Sequence, residues 1–313
     1  MAPSENLVFC GTPQFAVPTL QKLVEAGFHV RLVLTQPDRP KGRGLGLMAS
    51  PVKQTAERLG LPIYQPEKIK QNEELRAKLD QIAPAAIVVV GYGRIIPQWM
   101  LDLPKYGNIN LHASLLPKYR GAAPIQWAIA NGEQVTGVTT MRIDEGLDTG
   151  DILLQQDLAI LDQDTAETVS PRLAAIGADL MVETLRGLAE GTISAAPQQN
   201  DEATLAPILK KEDGRIDFKR TAHQIYDRLR GFQPWPGAFT KFRGKALNIT
   251  AARLADENVP QAEILVRDAR LFVGCGNSTG LELLEVQPEG KKRISARDFV
   301  HGYRPQAGER LGD

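Results

Sequence analysis

The sequence predicts an α/β protein: a doubly wound, mostly parallel sheet followed by a smaller C-terminal β-barrel of the OB-like kind. Three observations lead there. Apolar strands alternate with amphipathic helical patterns through the first half of the chain. Ala86–Val90 (Ala-Ile-Val-Val-Val) is apolar throughout, as a strand covered on both faces must be. After Phe232-Gln-Pro-Trp-Pro-Gly, short strands separated by turn signals follow one another, the pattern of a small barrel.

The elements follow in order. Leu7–Cys10 reads as a first strand ending at Gly11-Thr12-Pro13. Phe15, Val17, Leu20, Leu23 and Val24 recur at helical spacing over Phe15–Ala26. Val30–Leu34 is a second strand, and residues 51–59 and 72–82 read as helices. Strands at Ala86–Val90, Gly107–Leu111 and Gly137–Ile143 follow, with a helix opening at Pro124–Ile125 between the last two. A long helix is predicted from about Thr165 to Ala189, adjusted near Pro171. The polar stretch 190–206, with small residues and a proline, reads as a linker. A helical pattern at Ala222–Arg230 precedes strands at Ala238–Phe242, Ala246–Ala252, Ala262–Arg267, Leu271–Gly274 and Leu281–Gln287. The domains expected are therefore 1–189, a linker at 190–206, and 207–313.

Composition narrows the class. At 42% hydrophobic residues the chain can bury real cores, yet no apolar run approaches a membrane span. The first ten residues lack the basic start and apolar centre of a signal peptide. Two distant cysteines, Cys10 and Cys275, suggest no disulfide frame, and Cys10 in its apolar strand reads as an inert core residue. The four histidines show no ligand spacing, so no metal is expected. A reducing, cytoplasmic setting and a monomer are the resulting expectations. Charge is unevenly spread: residues 1–206 carry 18 Lys and Arg against 23 Asp and Glu, whereas 207–313 carry 19 against 14. The basic remainder points to an anionic partner or to ordinary variation.

The chemistry concentrates at 107–120, Gly-Asn-Ile-Asn-Leu-His-Ala-Ser-Leu-Leu-Pro-Lys-Tyr-Arg. Asn110 and His112 lie two apart and share one face of an extended strand. Asp148 follows in the Gly-rich turn Glu-Gly-Leu-Asp-Thr-Gly-Asp. An amide, an imidazole and a carboxylate can stabilise an oxyanion and move a proton at an acyl centre. Asn110 and His112 alone would equally suit two satisfied polar groups at a strand end. Val90-Gly91-Tyr92-Gly93 offers backbone donors and acceptors between apolar walls, or is merely a core strand with a tight turn.

Taken together, Asn110-x-His112, Ser114-Leu115-Leu116-Pro117, Arg120-Gly-Ala-Ala-Pro124 and Asp148 in Leu-Asp-Thr-Gly resemble the signature of the folate-dependent formyltransferases. The resemblance extends from Phe9–Pro13 through Val88–Pro97 to Gln287–Lys292, nearly the whole chain. It implies a Rossmann-like catalytic domain with Asn110, His112 and Asp148 as catalytic residues. It implies a folate surface made by Ser114, Leu115, Leu116, Pro117, Val90, Gly91 and Tyr92. The donor would be 10-formyltetrahydrofolate, and the acceptor the α-amino group of methionine esterified to initiator tRNA. Other members of the family act on sugar-nucleotide amines or purine precursors. The first would share the same site residues, but the basic loop and C-terminal part argue against it. The second would lack the C-terminal part.

The loop Thr35–Pro51 carries Arg39, Lys41 and Arg43 among glycines and prolines, and it lacks a dinucleotide fingerprint. That absence argues against a nucleotide-dependent oxidoreductase. A basic, adaptable loop suits an RNA acceptor stem, and an exposed solvated loop has the same composition. In tRNA-using members of the family the equivalent loop contacts the acceptor arm, with Arg43 the foremost candidate. Lys210, Lys211 and further cations of 207–313 are the other expected tRNA contacts. Trp235, between two prolines, is expected to pack in a core or an interface rather than to stack on a base.

Overall fold

The computed structural model describes residues 5–41, 46–306 and 308–312. The first unit comprises the chain to Gly121 together with Val135–Ala159 and Ser170–Leu205; the second comprises Ala122–Gln134, Ile160–Val169 and everything from Ala206.

The elements run β1 (Asn6–Gly11), α1 (Val17–Glu25), β2 (His29–Leu34), β3 (Arg39–Lys41), β4 (Gly46–Met48), α2 (Pro51–Arg58), β5 (Ile63–Tyr64), α3 (Glu73–Ile82), β6 (Ala86–Val90), α4 (Gln98–Leu101), β7 (Asn108–His112), α5 (Pro124–Ala130), β8 (Val135–Arg142), β9 (Ile152–Ala159) and α6 (Ala166–Glu190). Seven strands form one sheet in the order β5-β2-β1-β6-β7-β8-β9. In that order β5, β2, β1, β6 and β7 pair in parallel, β8 pairs antiparallel with β7, and β9 pairs antiparallel with β8. From β1 the chain winds outward through β2, then returns to lay β6 on the other side of β1. That reversal falls at the carboxyl ends of β1 and β6, the position at which α/β sheets bind their ligands.

Alternation along each strand explains the layers. Val8, Cys10, Leu32, Leu34, Ile87 and Val89 pack with Leu75 and Leu79 of α3 and with Tyr92 and Met100. Burying each large apolar side chain contributes about 1.5–3 kcal/mol. Local signals set the helix starts. The Ser50 hydroxyl accepts from Lys53 N, with Pro51 following, and Asn72 accepts from Leu75 N. On β7, Leu111 meets α6, where Cβ on Gly177 would stand 2.7 Å from its Cδ2. Asn110 and His112 therefore face the other side of the sheet. Pro171 lies inside α6, which continues through it to Glu190.

In the second unit, α7 (Ala222–Gly231) starts at a Thr221–Gln224 capping box. It is followed by β10 (Ala238–Phe242), β11 (Lys245–Ala255), β12 (Ile264–Arg267), β13 (Arg270–Cys275), β14 (Thr279–Pro288), β15 (Ile294–Ser295) and α8 (Ala296–Tyr303). The antiparallel order is β10-β11-β14-β13-β12, with β15 beside β14. The chain end then joins the two edges: Ile264 N donates to Glu309 O and Leu311 N to Ala262 O, both at 2.8 Å, and Gly312 N donates to Lys241 O at 2.8 Å. This closes the sheet into the expected small barrel around Leu247, Ile249, Leu271, Leu281, Leu283 and Phe299. Trp235 is 54% exposed, so of the two expected settings it is not in the core; it stands between two proline peptide bonds that are both cis.

Candidate active site

His112 ends β7 and is only 6% exposed. Its Nε2 lies 2.9 Å from the Tyr119 carbonyl oxygen. A carbonyl oxygen only accepts, so Nε2 carries a hydrogen and Nδ1 is the nitrogen left for other chemistry. Nδ1 stands 3.6 Å from Asp148 Oδ2, which also accepts from Gly121 N at 2.8 Å. At 3.6 Å the two groups are in contact without a hydrogen bond between them.

Asp148 reaches His112 because the connection between β8 and β9 folds back on itself. The Asp144 carboxylate accepts from Gly146 N at 3.0 Å and from the Thr149 hydroxyl at 2.8 Å, shaping the turn. Gly150 is required there, since a Cβ would stand 1.9 Å from the Arg142 carbonyl oxygen. Asp148 itself adopts a φ of +54°, uncommon for a side-chain-bearing residue. Asn110 sits two residues before His112 on the same strand face, and its side-chain amide makes no hydrogen bond with another described residue.

The segment expected to meet folate is fixed from within. Thr139, fully buried on β8, donates to the Ser114 carbonyl at 2.6 Å and accepts from Leu116 N at 3.1 Å. Gln155 Nε2 donates to the Leu116 carbonyl at 2.9 Å. The Ser114 hydroxyl donates to the Lys118 carbonyl at 2.6 Å, and Leu115 packs over Gly137. The Leu116–Pro117 bond is cis.

At the carboxyl end of β6, Val90 is buried and the Tyr92 ring lies in the core beside Cys10. Burial pushes the Cys10 thiol and the Tyr92 phenol up, which leaves Cys10 without nucleophilic character. With the Val90 and Tyr92 side chains buried and Gly91 carrying none, backbone is what this turn has left to offer a ligand. Gly91 has φ +55°, and a Cβ there would sit 2.8 Å from Pro13 Cγ, so only glycine makes this turn. Gln36 Nε2 donates to the Tyr92 and Gly93 carbonyls at 3.1 and 3.3 Å, fixing its shape. Ile95, two residues past Gly93, is 91% exposed, an apolar side chain that sequence reasoning did not single out.

The basic loop is described at its stems. Strands β3 and β4 pair antiparallel, Arg39 opposite Met48 and Lys41 opposite Gly46. Arg39 is exposed, and Arg43 lies outside the described residues. Below the stems, Asp38 accepts from Lys53 Nζ at 2.6 Å and from Gln65 Nε2 at 2.7 Å, which holds its carboxyl below the usual carboxylate range. In the second unit Lys210 and Lys211 are exposed, whereas Arg243 is tied to Glu309 by two bonds of 2.7 and 2.9 Å. Among the described residues no group of three or more His, Cys, Asp or Glu could hold a metal ion, and no helix is long and apolar enough to cross a membrane.

Two family models cover most of the chain: formyl transferase at residues 5–185, and formyl transferase C-terminal domain at 208–304. The chain belongs to the formyltransferase family. Among its relatives, a methionyl-tRNA formyltransferase of Koribacter versatilis is 65% identical over 306 residues, with 98% of each chain covered. One of Acidobacterium capsulatum is 60% identical, covering 98% of this chain and 99% of that one. Among solved structures, the sugar 3N-formyl transferase WlaRD, determined with dTDP and 5-N-formyl-THF, superposes with a TM-score of 0.66 at 20% identity, covering 92% of this chain and 99% of that one. HypX of Aquifex aeolicus, in complex with tetrahydrofolic acid, gives 0.63 at 16% identity over 97% of this chain and 48% of that one. These two likenesses concern the formyltransferase fold.

Proposed function

We propose that this formyltransferase moves the formyl group of 10-formyltetrahydrofolate to the α-amino group of methionyl-initiator tRNA, giving N-formylmethionyl-tRNA for translation initiation. The observation that carries the acceptor is identity of 60–65% over nearly full length to methionyl-tRNA formyltransferases. The residues at the β7 end supply the chemistry.

The amine attacks the formyl carbon, and the carbonyl oxygen gathers negative charge as the carbon becomes tetrahedral. The Asn110 amide donates to that oxygen, and so does His112 Nδ1–H when the ring is protonated. Asp148, 3.6 Å from Nδ1, orders the path by which the amine proton leaves for N10 of the folate. No covalent enzyme intermediate is required, in keeping with the deeply buried Cys10. The formyl donor is held by the backbone of Val90, Gly91 and Tyr92 and by Ser114, Leu115, Leu116 and Pro117, with Ile95 as an apolar wall. Arg39, Lys41, Arg43, Lys210 and Lys211 meet phosphates of the tRNA.

In the same reading 1–189 is the catalytic domain, 190–206 the connection, and 207–313 the tRNA-binding barrel. One chain carries all three catalytic groups, which supports a working monomer, and charged tRNA places the reaction in the cytoplasm. Incubation with 10-formyltetrahydrofolate and either methionyl-initiator tRNA or an amino-sugar nucleotide tests the proposal. Formylation of the tRNA is expected; formylation of the sugar alone refutes it.

A further inference from the structure

We infer that Gln198 is a positioning residue for the Asp148 carboxylate, locked in orientation by the buried Arg120. The inference rests on the role proposed above for Asp148. Gln198 Nε2 donates to the Asp148 carbonyl at 2.9 Å and to the Gly150 carbonyl at 2.7 Å. Both donors of one amide thus grip the strained turn from which the carboxylate projects. A residue held at positive φ keeps that conformation only where its surroundings over-determine it, and this grip is part of what does so here.

The other end of the amide is equally committed. Gln198 Oε1 accepts from Arg120 Nε at 3.0 Å and from Nη2 at 2.7 Å, and Nη2 also donates to Asn200 Oδ1 at 2.9 Å. Arg120 is 7% exposed, yet all three of these bonds end on neutral amide oxygens. A buried guanidinium is ordinarily matched by a carboxylate. Here the cation polarises the Gln198 amide, which strengthens its NH2 as a donor, and fixes which end faces the turn. Six residues on, Thr204 completes the support. Its Oγ1 accepts from Tyr119 N at 2.9 Å and its carbonyl from Arg120 N at 2.8 Å. Tyr119 is the residue whose carbonyl holds His112 Nε2. A stretch read from the sequence as connection therefore steadies both members of the pair, Asp148 through Gln198 and His112 through Thr204 and Tyr119.

Single-turnover formyl transfer, substrate KM values and thermal midpoints of Gln198→Ala and Gln198→Glu, each alone and combined with Asp148→Asn, test this. Gln198→Glu keeps the acceptor for Arg120, as a full ion pair, but sets oxygens against the carbonyls of residues 148 and 150. It separates folding from positioning. We expect both single variants to lose ten- to a hundredfold in rate with both KM values within twofold of wild type. The thermal midpoint of Gln198→Glu should be unchanged or raised. In the Asp148→Asn background either change should cost less than twofold. A Gln198→Glu enzyme of wild-type rate overturns the inference, as does a loss for Gln198→Ala that is the same with and without Asp148. An active Asp148→Asn enzyme would instead refute the role given to Asp148, and this inference with it.

Discussion

His112 Nδ1 lies 3.6 Å from Asp148 Oδ2, while Nε2 of the same ring is bound at 2.9 Å to the carbonyl of Tyr119. The backbone carbonyl settles the tautomer, because it can only accept. Every proton that His112 takes or gives must pass through Nδ1, on the side where the carboxylate stands. The ring is nearly buried, so this nitrogen works in a medium where charge interactions are stronger than in water.

Thr139→Val should loosen the segment proposed to hold the formyl donor. The hydroxyl serves Ser114 O, Leu116 N and Gln155 Nε2, and the isosteric valine leaves these groups without it. A stability loss of about 1–3 kcal/mol is expected in urea denaturation, with a raised KM for the formyl donor. Unchanged stability and KM would remove Thr139 from this role.

Glu282 predicts the acid behaviour of the barrel. It is 4% exposed and bonded chiefly to Arg270 and also to Arg253, which hold its carboxyl down to about 2. A depressed folded-state value means that its stabilisation is complete above the unfolded value of roughly 4.5 and lost as pH falls from there toward 2. Glu282→Gln should therefore destabilise the protein near pH 7. The gap between wild type and variant should close as the pH is lowered through that window. A gap independent of pH would contradict the assignment.

Much of this fold is legible in local pattern, and the exceptions have physical causes. Ala86–Val90 is the same strand in sequence and structure, since burial on both faces leaves no polar interruption. The antiparallel direction of β8 is not visible. A helix between two strands suggests a parallel crossover, but α5 groups with the second unit instead of serving as one. Strand β9 escapes notice because Gln155-Gln-Asp157 breaks its apolar alternation at an exposed sheet edge. Asn110 and His112 follow from period-two spacing, whereas nothing local brings Asp148 to them. Gln198 carries no sequence signal at all: an amide in a polar stretch gains meaning only from what it touches.

Arg43→Ala should impair use of tRNA while leaving formyl-donor binding intact. A several-fold rise in tRNA KM, or a matching loss in kcat/KM, is expected from loss of one charged contact. Equal kinetics with tRNA would exclude this loop position from recognition.

Lys210→Ala with Lys211→Ala should flatten the salt dependence of tRNA binding. Each phosphate contact removed is worth about 0.7–0.9 in the slope of log affinity against log salt. Both side chains are exposed, so folding should be unaffected. An unaltered slope would exclude these two residues from the tRNA contact.

The most direct test of the mechanism is the single-turnover rate of His112→Ala, measured together with binding of formyl donor and tRNA. We predict a fall of at least about 10²–10³ in rate with both substrates still bound. Retention of most of the rate would contradict the assignment of proton transfer and oxyanion stabilisation to the end of β7.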